Sequence, residues 1–334
     1  MAVGGGTGLA VVLRGLKRHV VSPAATVTGE ASAGPGAGGG RELRQLAAVV
    51  TVADDGGSSG RLRRELGVLP PGDVRNCIVA LADDEDLLTR LFQYRFPNGG
   101  GLSGHSFGNL LLTALTGITG DFYQAILTAE SILSVRGRIL PATLTDVRLR
   151  GRGCSGRLYE GESAVGRAGE PLTGLELEPA AAPAFPAAVE VLLGADLVLL
   201  GPGSLYTSIL PNLLIPGIQQ AVRQSPAPAV LVLNLMTQPG ETAGLTGIAH
   251  LDAIERIAGA GLVDRVLVNS TPPAAEVLAH YAEAGSVPVE VDREAFAARG
   301  VELVEADLLA SGDLVRHDPE KLAAALLTLA ARPA

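Results

Sequence analysis

The sequence predicts an α/β protein: a mostly parallel sheet with helices on both faces and a small antiparallel β excursion, built as one domain over residues 1–334. Two observations carry that reading. The run at 46–53, Leu-Ala-Ala-Val-Val-Thr-Val-Ala, is almost continuously apolar, the pattern of a strand covered on both faces in a parallel sheet. Apolar runs at 197–200, 230–233 and 266–268 repeat the theme, and each stops at polar or glycine-rich residues. Carboxyl ends of such strands are where open α/β sheets hold ligands.

The elements follow in order. Gly4-Gly5-Gly6-Thr7-Gly8 opens a helix over 8–19, whose apolar face is Leu9, Val12, Leu13 and Leu16 and whose last turn carries Lys17, Arg18 and His19 against the helix dipole. Residues 29–40 are glycine-rich and low in complexity, a flexible surface loop. Pro70-Pro71-Gly72-Asp73 reads as a turn with Asp73 capping a helix from Val74 to about Leu81, which puts Asn76 in its first turn. Ser106 is placed to cap the next helix, with Phe107, Leu110, Leu111, Ala114 and Leu115 as its core stripe and Asn109 and Thr113 opposite. Asp121 and Gln124 have the spacing of a capping box. Between about 147 and 178 the composition turns to Gly, Arg, Glu and short β-like pieces, the expected antiparallel excursion.

Composition excludes several classes. No apolar stretch reaches the roughly 18 residues of a membrane span, and no basic-then-apolar leader opens the chain, so a cytoplasmic location without membrane insertion is expected. Two cysteines, Cys77 and Cys154, build neither a disulfide framework nor a thiolate zinc site. A formal charge of −9 and 3% aromatic residues argue against nucleic-acid binding by phosphate neutralisation or base stacking. A homo-oligomer is left open.

The chemistry-bearing motifs sit at strand ends. Gly4 to Gly8 lets backbone amides approach an anion at a helix N-terminus, although Leu9 breaks the dinucleotide fingerprint and no P-loop lysine follows; a tight turn is the alternative. In Thr51-Val52-Ala53-Asp54-Asp55-Gly56-Gly57-Ser58-Ser59-Gly60, alternation along a strand sends one carboxylate of the acid pair into the crevice, with Asp54 preferred. Such a carboxylate beside phosphate either holds Mg²⁺ or accepts from sugar hydroxyls, while Ser58 and Ser59 offer donors; a capped loop is the plainer reading. Leu102-Ser103-Gly104-His105-Ser106-Phe107-Gly108-Asn109 sets an imidazole and an amide at another helix start. No Ser–His pair stands at recognisable spacing, so covalent hydrolysis is disfavoured. Gly201-Pro202-Gly203-Ser204-Leu205-Tyr206-Thr207-Ser208, with Asn212 just beyond, reads as a second anion- or sugar-binding turn or a simple one. Asn234, Thr237 and Gln238 supply neutral donors and acceptors suited to a base or sugar.

Taken in order, these motifs resemble the gluconeogenesis-factor family of bacterial proteins, the YvcK type, related to the phospholactate transferase of deazaflavin cofactor synthesis. The resemblance runs over roughly residues 1 to 320. It implies a Rossmann-like domain that binds a nucleotide sugar of the UDP-N-acetylglucosamine type and serves growth on gluconeogenic carbon sources and cell shape. By that resemblance Gly4 to Gly8 and Gly201 to Ser204 face phosphates, and Asn76, His105, Asn109, Asn212 and Asn234 line the crevice. Asp54 and Asp55 match the relatives' metal-holding loop, so the alternative is a Mg²⁺-dependent phospholactate-type transferase. A regulatory binding role ranks above catalysis and requires no cofactor, with Mg²⁺ accompanying a bound nucleotide. A tubulin-like GTPase and an NAD-dependent redox enzyme rest on the first glycine turn alone.

Overall fold

A computed structural model describes residues 1–21, 42–83, 86–97 and 99–330. The glycine-rich loop expected at 29–40 lies outside the described residues. In chain order the strands are β1 (Ala2–Gly4), β2 (Ala47–Val50), β3 (Arg138–Pro141), β4 (Arg148–Gly153), β5 (Leu158–Glu160), β6 (Leu172–Glu178), β7 (Val198–Leu200), β8 (Ala229–Val232), β9 (Arg265–Asn269) and β10 (Glu302–Ala306). The helices are α1 (Gly6–Lys17), α2 (Gly57–Leu66), α3 (Gly72–Leu81), α4 (Asp86–Gln93), α5 (Phe107–Thr119), α6 (Phe122–Ile132), α7 (Glu162–Val165), α8 (Pro186–Leu193), α9 (Leu210–Leu213), α10 (Pro216–Gln224), α11 (Gly247–Ala258), α12 (Ala275–Glu283), α13 (Arg293–Ala298) and α14 (Pro319–Leu329). One π-helical turn, Leu205–Ile209, precedes α9.

Seven strands form one sheet in the order β10-β9-β8-β7-β1-β2-β3, with every pair parallel. The chain winds outward from β1 through β2 to β3, then re-enters beside β1 at β7 and winds the other way. This reversal opens a crevice beyond the carboxyl ends of β1 and β7. The excursion is β5-β4-β6, antiparallel, and α7 lies within it. No helix among the described residues is long and apolar enough to cross a membrane.

The central strands are covered on both faces, as their unbroken apolar character requires: Val49, Val50, Val198 and Leu200 are fully buried. β2 is shorter than its apolar run because the chain leaves the sheet at Thr51, whose N–H still donates to the Gly4 carbonyl at 3.1 Å. Buried Leu9, Val12, Leu13 and Leu16 follow the expected helical spacing on α1, which packs between α3 and α14. Asp121 caps α6 by accepting from Gln124 N at 2.8 Å, and Ser106 caps α5 by accepting from Asn109 N at 3.2 Å.

Two expectations are corrected. α3 begins at Gly72 with Pro71 in the cap position, so Asp73 lies inside the first turn. On α5 the buried positions are Gly108, Asn109 and Leu112, while Ala114 is exposed. The face is rotated because α5 rests on the Arg75 side chain and the Phe92 carbonyl, both within 3 Å of where a Gly108 methyl would stand.

Close helix packing gives a test of the fold. A methyl on Gly15 of α1 would sit 2.0 Å from the Pro319 carbonyl oxygen at the start of α14, whereas one on Gly117 of α5 meets nothing within 4 Å. Chemical unfolding should show Gly15→Ala destabilised by about 2 kcal/mol and Gly117→Ala stabilised by about 0.5–1 kcal/mol through helix propensity. Equal effects at the two sites would contradict this packing.

Candidate functional site

A cavity of about 730 Å³ occupies the crevice. Its floor is the start of α1, where Gly5, Gly6, Thr7 and Gly8 line the wall, the N-cap residue Gly5 has no side chain to cap the helix, and Asp73 takes the Gly6 N–H. Amides left open at a helix N-terminus, with the dipole behind them, attract an anion. Gly6 sits at φ +63°, which makes glycine the natural choice at this sharp entry. The facing wall is the turn after β7, with Pro202, Gly203 and Ser204. A methyl on Gly8 would stand 2.3 Å from the Pro202 carbonyl oxygen, and one on Gly5 would stand 2.5 Å from an Asp73 oxygen. Asn234 clamps the second turn from β8 by accepting from Gly203 N at 3.1 Å and donating to its carbonyl at 2.8 Å.

Acids form another wall. Asp54 lines the cavity and accepts from Gly56 N at 2.8 Å, whereas Asp55 turns away to accept from Ser163 N at 2.9 Å, at the start of α7. The two carboxylates named from the sequence as metal ligands thus point apart. Asp54 instead shares the cavity with Asp73 and Glu162. Burial raises the Asp54 carboxyl above its usual range, with Asp55 adding repulsion. Asp73 is pushed up to about 7 by burial and then by Asp54, against a hydrogen bond from Gly6 N–H. Glu162 is pushed up to about 8 by burial, then by Asp54 and Asp73. Among the described residues no group of three or more acid, imidazole or thiol side chains is arranged to hold a metal ion unaided.

The remaining sequence-named residues divide between wall and framework. Asn76, Ser204, Thr237 and Gln238 line the cavity beside Asn234. Gly4, Asp55, Ser58, Ser59, His105, Asn109, Gly201, Tyr206 and Asn212 do not. Asn212, fully buried, donates to the Gly4 and Ser208 carbonyls at 3.0 and 2.7 Å, fixing the floor from below. Tyr206 is a core side chain whose N–H donates to Glu241 at 2.8 Å.

Ser58, His105 and Asn109 make a buried cluster behind the acid loop. Ser58 Oγ lies 2.9 Å from His105 Nδ1 and accepts from Asn109 Nδ2 at 3.1 Å. A serine–histidine contact is therefore present, between residues too far apart in sequence for spacing to reveal. Both side chains are buried and neither lines the cavity, so the contact holds the loop. Burial, then Arg61, lowers the His105 pKa, which favours the neutral ring as Ser58's partner.

Sequence reasoning missed Glu162, Tyr281, Ser286 and His317. Each reaches the cavity from a segment with no motif of its own, and Asp73 was read as a cap.

A family model described as 2-phospho-L-lactate transferase CofD matches residues 1–309. The chain belongs to the CofD family. Among its relatives, a protein of Halalkalibacterium halodurans named gluconeogenesis factor is 46% identical over 325 residues, covering 97% of this chain and 94% of that protein. A Bacillus subtilis protein of the same name is 43% identical over 327 residues, covering 98% and 96%. A crystal structure of a Bacillus halodurans protein superposes with a TM-score of 0.88 at 44% identity, over 98% of each chain. The resemblance drawn from the motifs and the α/β fold both stand. In this CofD-family chain the motifs that carried the resemblance meet at one crevice, except Gly-His-Ser-Phe-Gly-Asn at 104–109, which contributes no lining residue.

The acid wall makes stability depend on pH. Unfolded, these carboxyls ionise near pH 4. Held near 7 and 8 in the fold, Asp73 and Glu162 keep protons that the unfolded chain has released. Their contribution to stability is fully present below about pH 4 and is lost as pH rises through 7 to 8. Asp73→Asn should therefore melt above the unsubstituted protein at pH 8.5, the gain shrinking toward pH 5. A lower melting temperature at both values would count against the reading.

Proposed function

We propose that the crevice binds a nucleotide sugar of the UDP-N-acetylglucosamine type, and that the protein acts as a gluconeogenesis factor by binding, in growth on gluconeogenic carbon sources and in control of cell shape. The observation that carries this is the meeting of two glycine turns over the open N-terminus of α1 at the sheet's switch point. Phosphates fit the open amides. Polar side chains along the β8 side, Asn234, Thr237 and Gln238, suit the uncharged parts of the ligand. The names of the close relatives support the gluconeogenic part of that role. A binding role is favoured over catalysis because the Ser58–His105 contact lies outside the cavity.

The acid wall favours a second reading, a Mg²⁺-dependent transferase of the kind the family description names. Hard oxygen donors such as Asp54 and Asp73 suit Mg²⁺, which is bound through one or two carboxylates plus substrate phosphates. Too few protein ligands converge to hold the ion alone, so it would enter with the nucleotide. Its chemistry there is to neutralise charge between acid and phosphate.

Calorimetry with UDP-N-acetylglucosamine should show saturable binding that strengthens with Mg²⁺. Asp54→Asn should weaken binding about tenfold in Mg²⁺, on the scale of one charge-assisted contact, without lowering the melting temperature. No heat and no thermal shift at millimolar ligand would overturn the binding role. Product formation from a deazaflavin acceptor and a nucleotide-activated phospholactate would establish the transferase instead.

A further inference from the structure

The motif at 104–109 lines no cavity, yet it makes a bed for a side chain that approaches the crevice from behind. That side chain is Arg75, near the start of α3. Its Nη1 donates to Ser106 Oγ at 2.6 Å, and its stem presses on Gly108, where a methyl would stand 2.9 Å from both Cγ and Cδ. Ser106 is fully buried and fixed by its capping bond, in which Oγ accepts from Asn109 N at 3.2 Å. The other terminal nitrogen of Arg75, Nη2, donates to Asn76 Oδ1 at 2.6 Å.

Arg75 does not line the cavity, but Asn76 does, on the same face of α3 as Asp73 and one turn further on. A guanidinium carries donors only, so the Asn76 atom turned to it is the oxygen and the orientation of the amide is set. Nδ2 is left as the other end. It has no hydrogen-bond partner among the described residues and is not one of the side-chain atoms closed off from solvent, so a molecule in the cavity can reach it.

We propose that Arg75 is a positioning residue, holding the Asn76 amide so that Nδ2 donates to an acceptor oxygen of the bound molecule. This rests on the crevice being a nucleotide-ligand site, and it gives the 104–109 motif a part in binding without contact. The oxygen belongs to a phosphoryl group or to a sugar hydroxyl. The geometry requires more of residue 75 than charge: two nitrogens of one rigid plane span Ser106 and Asn76, which the single ammonium of a lysine cannot do. Arg75 also stands near Asp73 and Asp54, whose charges favour its protonated form against burial. A lysine keeps that influence and loses the span.

The test measures dissociation constants of UDP-N-acetylglucosamine, UDP and GDP, with melting temperatures, for the unsubstituted protein, Asn76→Ala, Arg75→Lys and the double variant. Asn76→Ala should raise Kd about tenfold for the probe that binds, the scale of one lost hydrogen bond. Arg75→Lys should raise it by a similar factor although the charge remains. The double variant should bind within about twofold of Asn76→Ala, because Arg75 acts through that amide. A residue that only stabilised the fold would lower the melting temperature without this non-additivity. A loss shared by UDP puts the oxygen on the diphosphate, and one confined to the nucleotide sugar puts it on the sugar. Should Arg75→Lys fail to fold, Ser106→Ala, which releases Nη1 outside the cavity, should raise Kd about threefold alone and not in the Asn76→Ala background. An unchanged Kd in Asn76→Ala, unaltered affinity in Arg75→Lys, or losses that add in the double variant would overturn the proposal and leave the nucleotide-sugar reading standing. No binding of any probe would sink both. Binding of GDP alone with the same coupling would sink the nucleotide-sugar reading and leave this one standing.

Discussion

Everything in the crevice depends on one contact, the approach of the Gly8 backbone to the Pro202 carbonyl. Strands β1 and β7 are parallel neighbours, with Val3 opposite Leu200, so the turns that follow them must leave side by side. Gly201 N still donates to the Val3 carbonyl at 2.9 Å, which carries the pairing into the turn itself. Two ordinary side chains could not share that space; a single β-carbon on Gly8 already intrudes to 2.3 Å. Glycine here lets two pieces of backbone form adjoining walls of the cavity while the sheet below remains regular.

Holding that contact takes polar side chains, of which Asn212 and Glu241 lie outside the cavity lining. Asn212 binds the Gly4 and Ser208 carbonyls from beneath, Asn234 grips Gly203 through both its amide atoms, and Glu241 receives the Tyr206 and Thr207 amides at the π-helical turn. Buried backbone groups in irregular turns must be paired somewhere, and these side chains do the pairing. The acid wall is held in the same way: Asp55 is tied to α7, and the Ser58–His105–Asn109 cluster backs the loop. A residue can thus be essential to the site's shape while making no contact with what it binds.

Most of the fold was legible because its strands are buried on both faces and therefore read as apolar runs, and because helix caps such as Ser106 and Asp121 act over three residues. The site was legible only in part. The glycine turns announced themselves, since their backbone demands leave a compositional mark. Asp73 did not, because an acid after Pro-Pro-Gly is as good a cap as a ligand until the helix is seen to start at Gly72. Tyr206, next to a glycine turn, invited a ligand role, but the π-helical turn rotates it into the core. Glu162 and His317 come from the β excursion and the approach to α14, brought in by tertiary contacts that no local pattern encodes.

The crevice is polarised, and that decides what kind of molecule suits it. Open amides at the α1 terminus favour negative charge, yet Asp54, Asp73 and Glu162 stand in the same cavity and resist ionising together. An anion settles there only if the acids keep their protons or a cation intervenes. Under the proposed function, that favours phosphate accompanied by Mg²⁺ over phosphate alone. Along the β8 side the lining is uncharged, and Asn234, Thr237 and Gln238 offer both donors and acceptors. A bare phosphate meets the first condition and fails the second, and a free sugar does the reverse. A molecule joining a phosphate to an uncharged hydrogen-bonding group suits both ends, and the proposed nucleotide sugar is of that class.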